Sequence, residues 1–240
     1  MMQRLAYAAA FILLCAFPAQ AQQMTLDFGD GASLSGRAVQ LLALVTVLSL
    51  VPGLAIMVTC FPFIVTVLSI LRQAIGLQQS PPNMLIVSLA LFLTWFVMEP
   101  VFNEAWVNGV QPLTENKLAI DQALTATIAP FRIFMAARMD PDTFTAMQAL
   151  RPGEISPPVD AHLSLLIPSF LLSEIQRAFE IGFLIYLPFL IIDLVVAAVL
   201  MSMGMMMVPP AVVSMPFKLA FFVVADGWAL VSGALVRSFS

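Results

Sequence analysis

The sequence is poor in charge, in cysteine and in histidine, and each shortage narrows what the chain can do. Ten Lys and Arg against fourteen Asp and Glu leave a formal charge of −4, so there is no basic patch of the kind nucleic acid selects. No glycine-rich phosphate-binding loop is visible. His162 is the single histidine; without a second histidine or a cysteine nearby it reads as a helix-start residue rather than a metal ligand or catalytic base. Only Cys15 and Cys60 are present. Cys15 falls in a segment that reads as a removable signal, which leaves Cys60 with no intramolecular disulfide partner, as a small side chain in an apolar run. No cofactor is expected.

What the chain has in excess is apolar surface. It is 61% hydrophobic and 10% charged, with a mean hydropathy of +0.98. That places it outside the soluble range, as an integral membrane protein or the core of a large apolar assembly. The fold class expected is all-α: broken apolar helices arranged as helical hairpins, with a smaller polar helical region, made to oligomerise.

Residues 1–21 carry a secretory signature: Arg4, an apolar stretch from Leu5 to Phe17, and Ala19-Gln20-Ala21 as the cleavage site. A polar lead, 22–38, follows on the extracytoplasmic side. Residues 39–102 form a first apolar hairpin. Its first run, Val39 to Leu71, is too long for one perpendicular span and holds Pro52-Gly53 and Pro62, so a broken or strongly tilted helix is expected. Its second helix runs from Met84 to about Val101, with Glu99-Pro100 marking the end. Residues 103–162 are the one substantial polar region. There Thr114 to Ala137 looks helical apart from Pro130, and Asp140-Pro141-Asp142 starts another helix. This region is too short and too poor in apolar residues for a core of its own and is expected to pack on other copies or partners.

Residues 163–240 form a second apolar hairpin. Leu163 to Phe179 is amphipathic, and Glu174 and Arg177, three residues apart, pair on one helix face for about 0.2–0.5 kcal/mol or meet a neighbouring subunit. Beyond them, Asp193 and Lys218 are isolated charges in apolar surroundings on either side of a methionine-crowded hinge. An ionised group at membrane depth has a partner or a job. If helix continued to Met207, Asp193 would lie about 21 Å from the tip and Lys218 about 12 Å. If 201–210 is a loop, both stand about 12 Å away and face each other across the hairpin or across to a neighbour. Gly204 and Pro209 favour the loop. The methionines in it, Met201, Met203, Met205, Met206 and Met207, either pad a tight turn or form a deformable seal.

The stretches PSFLLSEIQRAFEIGF (168–183), LPFLIIDLVVAAVLMSMGMMMVPP (187–210) and MPFKLAFFVVADGW (215–228), with LRQAIG (71–76), PPN (81–83) and LALFLTWFVMEPV (89–101), resemble the FliP family of flagellar type III export gates in the right order along the chain. The signal favours the flagellar branch over the virulence-injectisome relatives. One stretch departs: TCFPFI (59–64) stands where the family suggests a more polar threonine–arginine pair, so no arginine role carries over there.

The resemblance implies a non-enzymatic, pore-forming core subunit that passes unfolded flagellar subunits across the bacterial inner membrane, in the flagellar basal body, with parts on the periplasmic side. Several copies and a FliR-like subunit would form the core, with FliQ-like subunits around it and FlhA-like and FlhB-like export proteins as further partners. It implies that Met205, Met206 and Met207 act as a gasket supported by Met201 and Met203. Asp193 and Lys218 would make buried charge contacts between subunits, and Glu174, Arg177, Phe134 and Phe144 would belong to the subunit contact or packing region. The competing readings are a secondary transporter with its site at the broken helices, which should show an internal repeat that is not seen, and a membrane scaffold that only templates assembly.

Overall fold

The structure, a computed structural model, describes residues 34–77, 80–151, 156–205 and 207–239; the signal and most of the polar lead lie outside these residues. All regular structure among the described residues is helical. The chain divides into two units, residues 1–48 and 49–240. In the first, the described residues belong to helix α1 (Leu34–Met57), whose side chains from Val39 to Leu48 are exposed.

The second unit is built on α2 (Phe61–Ile75), a 15-residue helix with Phe63, Ile64, Val67, Leu68, Leu71, Ala74 and Ile75 all buried. The long apolar run breaks ahead of α2, at residues 58–60, rather than at Pro52-Gly53, which is accommodated inside α1. Pro62 explains the choice. It sits in the first turn of α2, where a missing N–H costs no hydrogen bond. Thr59 bridges the break, its hydroxyl donating to the Ile56 carbonyl (2.7 Å) and accepting from the Phe61 amide (3.3 Å). Gly76 closes α2 in the left-handed conformation, φ 88°.

Helix α3 (Asn83–Ala105) does not stop at Glu99-Pro100 as expected. It runs through Pro100, opens into a π-helical turn (Trp106–Val110) and ends in the short α4 (Gln111–Thr114). The wide turn places Gly109 so close to α5 (Ile120–Arg138) that a Cβ there would lie 2.7–2.8 Å from Thr127 backbone atoms. Pro130 lies within α5 without ending it. Helix α6 (Pro141–Ala149) starts as expected, with the Asp140 carboxylate accepting from the Thr143 amide at 2.8 Å.

The polar region does not await a partner to find a core. Met135, Met139 and Phe144 pack with Ala161, Leu165, Leu166 and Phe170 of the same chain. The apolar surface it lacks is supplied by the start of α7 (Leu163–Ser202). That helix is 40 residues long with Pro168 and Pro188 inside it, about 60 Å at 1.5 Å per residue. This is twice the roughly 30 Å of a bilayer core. Helices α8 (Pro210–Val224) and α9 (Gly227–Arg237) follow, bent by 62° at Ala225-Asp226. The final apolar segment is therefore a broken span or a re-entrant pair rather than one straight helix. By length and composition three described helical stretches, in α1, α3–α4 and α7, can cross a membrane, and four if α8 and α9 count together.

Candidate functional site

Helix α7 ends at Ser202 and α8 begins at Pro210. The connection is thus a loop, Gly204 turning it at φ 76°, and Asp193 and Lys218 stand nearly level beneath it. They meet. Lys218 Nζ donates to Asp193 Oδ2 at 2.5 Å, and Ser214 Oγ donates to Asp193 Oδ1 at 2.5 Å. Ser214 and Lys218 are one helical turn apart on α8, so both reach the same carboxylate. Lys218 Nζ also donates to the Ala74 carbonyl at 3.1 Å. Ala74 lies in the last turn of α2, where carbonyls lack intrahelical partners and the helix end carries partial negative charge. One ammonium therefore joins α2, α7 and α8. The resemblance implied this charge contact between neighbouring subunits; here it closes within one chain.

The pair is unevenly sheltered: the Lys218 side chain is 6% exposed and that of Asp193 28%. Asp193 borders a cleft also lined by Arg72, Gln73 and Tyr186. Arg72 is held on the rim, donating to Asn83 Oδ1 and, at 3.4 Å, to the Pro81 carbonyl.

Above the pair the described methionines project outward, Met201 from the last turn of α7 and the others from the loop: Met201 is 60% exposed, Met203 67%, Met205 42% and Met207 97%. Met206 lies outside the described residues. Among the described residues nothing covers the four, and the neighbouring outward positions, Leu194, Val195, Val199 and Val212, are apolar as well.

Glu174 is fully buried. Arg177 approaches it at 3.6 Å as the three-residue spacing suggested, but its principal partner is Arg138, with Nη2 at 3.0 Å and Nε donating at 3.1 Å. Sequence spacing could not find Arg138, 36 residues away; the signal was a basic residue closing an otherwise apolar helix end. The same guanidinium donates to the Ser238 carbonyl at 2.7 Å and lies 3.9 Å over the Phe239 ring. Phe134 meets Phe170 edge-on and stacks with Phe239, and Phe144 is buried beside α7. Glu174, Phe134 and Phe144, expected at a subunit contact, are thus engaged inside their own chain.

Cys60 is buried at the α1–α2 break, and burial pushes its thiol up to about 12. Among the described residues no group of three His, Cys, Asp or Glu side chains is placed to hold a metal ion.

These features define a membrane-helical protein whose long apolar hairpin is pinned by an internal charge pair and tipped by exposed methionines. A family model described as the FliP family matches residues 44–235. The chain is 50% identical to the flagellar biosynthetic protein FliP of Caulobacter vibrioides over 90% of this chain and 82% of that one. It is 45% identical to the protein so named in Bacillus subtilis, over 84% and 91%, and 40% identical to that of Aquifex aeolicus, over 92% of each. The chain belongs to the FliP family.

Proposed function

We propose that this chain is a pore-forming core subunit of a flagellar type III protein export gate, conducting unfolded flagellar subunits across the bacterial inner membrane. The observation that carries the reading is the methionine loop. At the tip of a pinned hairpin, four long, unbranched and polarizable side chains are left uncovered. Such side chains repack around changing partners. Several copies side by side bring these loops together as a deformable gasket, open to a passing chain and closed to ions behind it. Family membership and the relatives' role in flagellar biosynthesis support the export setting.

The outward faces of α7 and α8 carry Phe179, Phe183, Leu190, Ile191, Phe217 and Phe221 exposed. Apolar faces of this extent need lipid or protein against them, and we assign them to neighbouring copies and to a FliR-like subunit, with FliQ-like, FlhA-like and FlhB-like proteins around the core. Parts of the chain, the polar region among them, face the periplasm. The subunit performs no catalysis; the gate is a conduit driven from elsewhere.

Replacing Met205, Met206 and Met207 by alanine tests this. The complex, co-expressed with its neighbouring subunits, should still assemble at its normal mass but leak ions and small dyes when reconstituted. A stable monomer under all conditions, or a sealed complex after truncation, refutes the gasket.

A further inference from the structure

The loop that is uncovered for sealing is uncovered for chemistry too. The thioethers of Met201, Met203, Met205 and Met207 lie open, whereas Met98 and Met135 of the same chain are buried. Nothing else in the loop competes for an oxidant: the described residues between Ser202 and Val208 are methionines and Gly204. The chain's one thiol outside the signal segment, Cys60, is buried and held protonated, so it offers no thiolate to intercept the oxidant first.

We infer that the methionine loop is an oxidation-sensitive site, whose conversion to methionine sulfoxide by a two-electron oxygen donor such as hydrogen peroxide or hypochlorous acid unseals the closed gate. The inference rests on the gasket reading above. In the peroxide reaction the sulfur lone pair attacks one oxygen, the O–O bond breaks as the S–O bond forms, and the displaced hydroxide takes the hydroxyl proton to leave as water. Sulfur is oxidised and peroxide reduced. The product is a polar, strongly accepting group in place of a flexible apolar one. Apolar side chains meeting tip to tip exclude water; sulfoxides in the same place retain it. The lesion is reversible by methionine sulfoxide reductases, one enzyme for each sulfoxide epimer.

The test uses the full chain in its co-purified complex, reconstituted in dye-loaded vesicles and titrated with hydrogen peroxide. Peptide mass spectrometry should find oxygen added at Met201, Met203, Met205 and Met207 about tenfold faster than at Met98 and Met135. Dye leakage should rise with loop sulfoxide and fall again after treatment with both reductases. A companion complex with leucine in place of all five methionines has no sulfur there to oxidise; whatever its starting leakage, that leakage should not change with peroxide, and a rise would overturn the inference. Oxidation of the loop no faster than of the buried methionines overturns the inference and leaves the gasket reading standing. Loop sulfoxides without leakage also overturn it. If the alanine variant described above is sealed as well, the gasket reading falls with it.

Discussion

Removing the two ends of the Asp193–Lys218 pair should not be equivalent, and the asymmetry follows from the structure. Asp193→Ala strands an ammonium whose side chain is 6% exposed and whose remaining acceptor is the Ala74 carbonyl. Breaking a buried pair this way costs about 3–5 kcal/mol. Lys218→Met keeps the aliphatic stem and strands a carboxylate that is 28% exposed and still accepts from Ser214. Partial hydration reduces that cost to about 1–3 kcal/mol. The double variant Asp193→Ala/Lys218→Met leaves no charge behind and should recover about 2 kcal/mol relative to Asp193→Ala alone. For a chain of this size each kcal/mol moves the melting point by about 2–4 °C, so the ranking is within reach of thermal unfolding in detergent. Export should follow the same order, read as swimming in soft agar. A Lys218→Met protein less stable than Asp193→Ala, or a double variant worse than both singles, would refute the argument, because the cost would then lie in lost packing rather than an orphaned charge.

Three further outcomes follow. Cys60, its thiol raised to about 12, should resist maleimide at neutral pH in the folded chain and react fully in denaturant; rapid native labelling would show that the α1–α2 break opens. Asp140 is held below the ordinary carboxylate range by the Thr143 amide and hydroxyl. Its contribution to α6 is therefore present above the unfolded carboxylate value and lost as pH falls through the lower folded one, so amide exchange at Thr143 and Phe144, normalised to intrinsic rates, should accelerate on acidification in the parent and already be fast in Asp140→Ala. Gly109→Ala places a Cβ 2.7–2.8 Å from the Thr127 backbone, where no side chain can yield; it should destabilise the α3–α5 junction by about 1–3 kcal/mol by thermal unfolding, whereas Gly53→Ala, with open space around it, should be tolerated.

How much of this could be read from the chain depended on whether the controlling residue was local. Pro209, Gly204 and the level placement of two charges were enough to set the loop, because turn chemistry and helical rise act over a few residues. The Asp140 cap was legible for the same reason. Prolines misled: Pro52, Pro100 and Pro130 all lie inside helices, since a helix in an apolar setting tolerates one lost backbone bond that a propensity argument counts as a break. Of the three, only Pro130 is buried against other elements. The partner of Glu174 was invisible because 36 residues separate it from Arg138. Ser214 was legible in principle, because its one-turn spacing from Lys218 places a hydroxyl on the lysine's face of α8.

The two charge clusters do similar work at different levels of the same helix. Glu174, with Arg138 and Arg177, ties the middle of the chain to α7 and, through Arg138, to Ser238 and Phe239. Nineteen residues further along α7, Asp193 ties the same helix to α8 and α2. Most of the ionised groups buried near α7 are thus satisfied inside the chain, and what α7 and α8 leave outward is mainly apolar. Non-directional surface of that kind drives association without fixing register, whereas a buried ion pair fixes register at little net gain in stability. On the gate we propose, this division of labour would hold each hairpin rigid through charges within its own chain and leave motion between copies to apolar faces and methionine side chains, which can slide and repack without breaking a salt bridge.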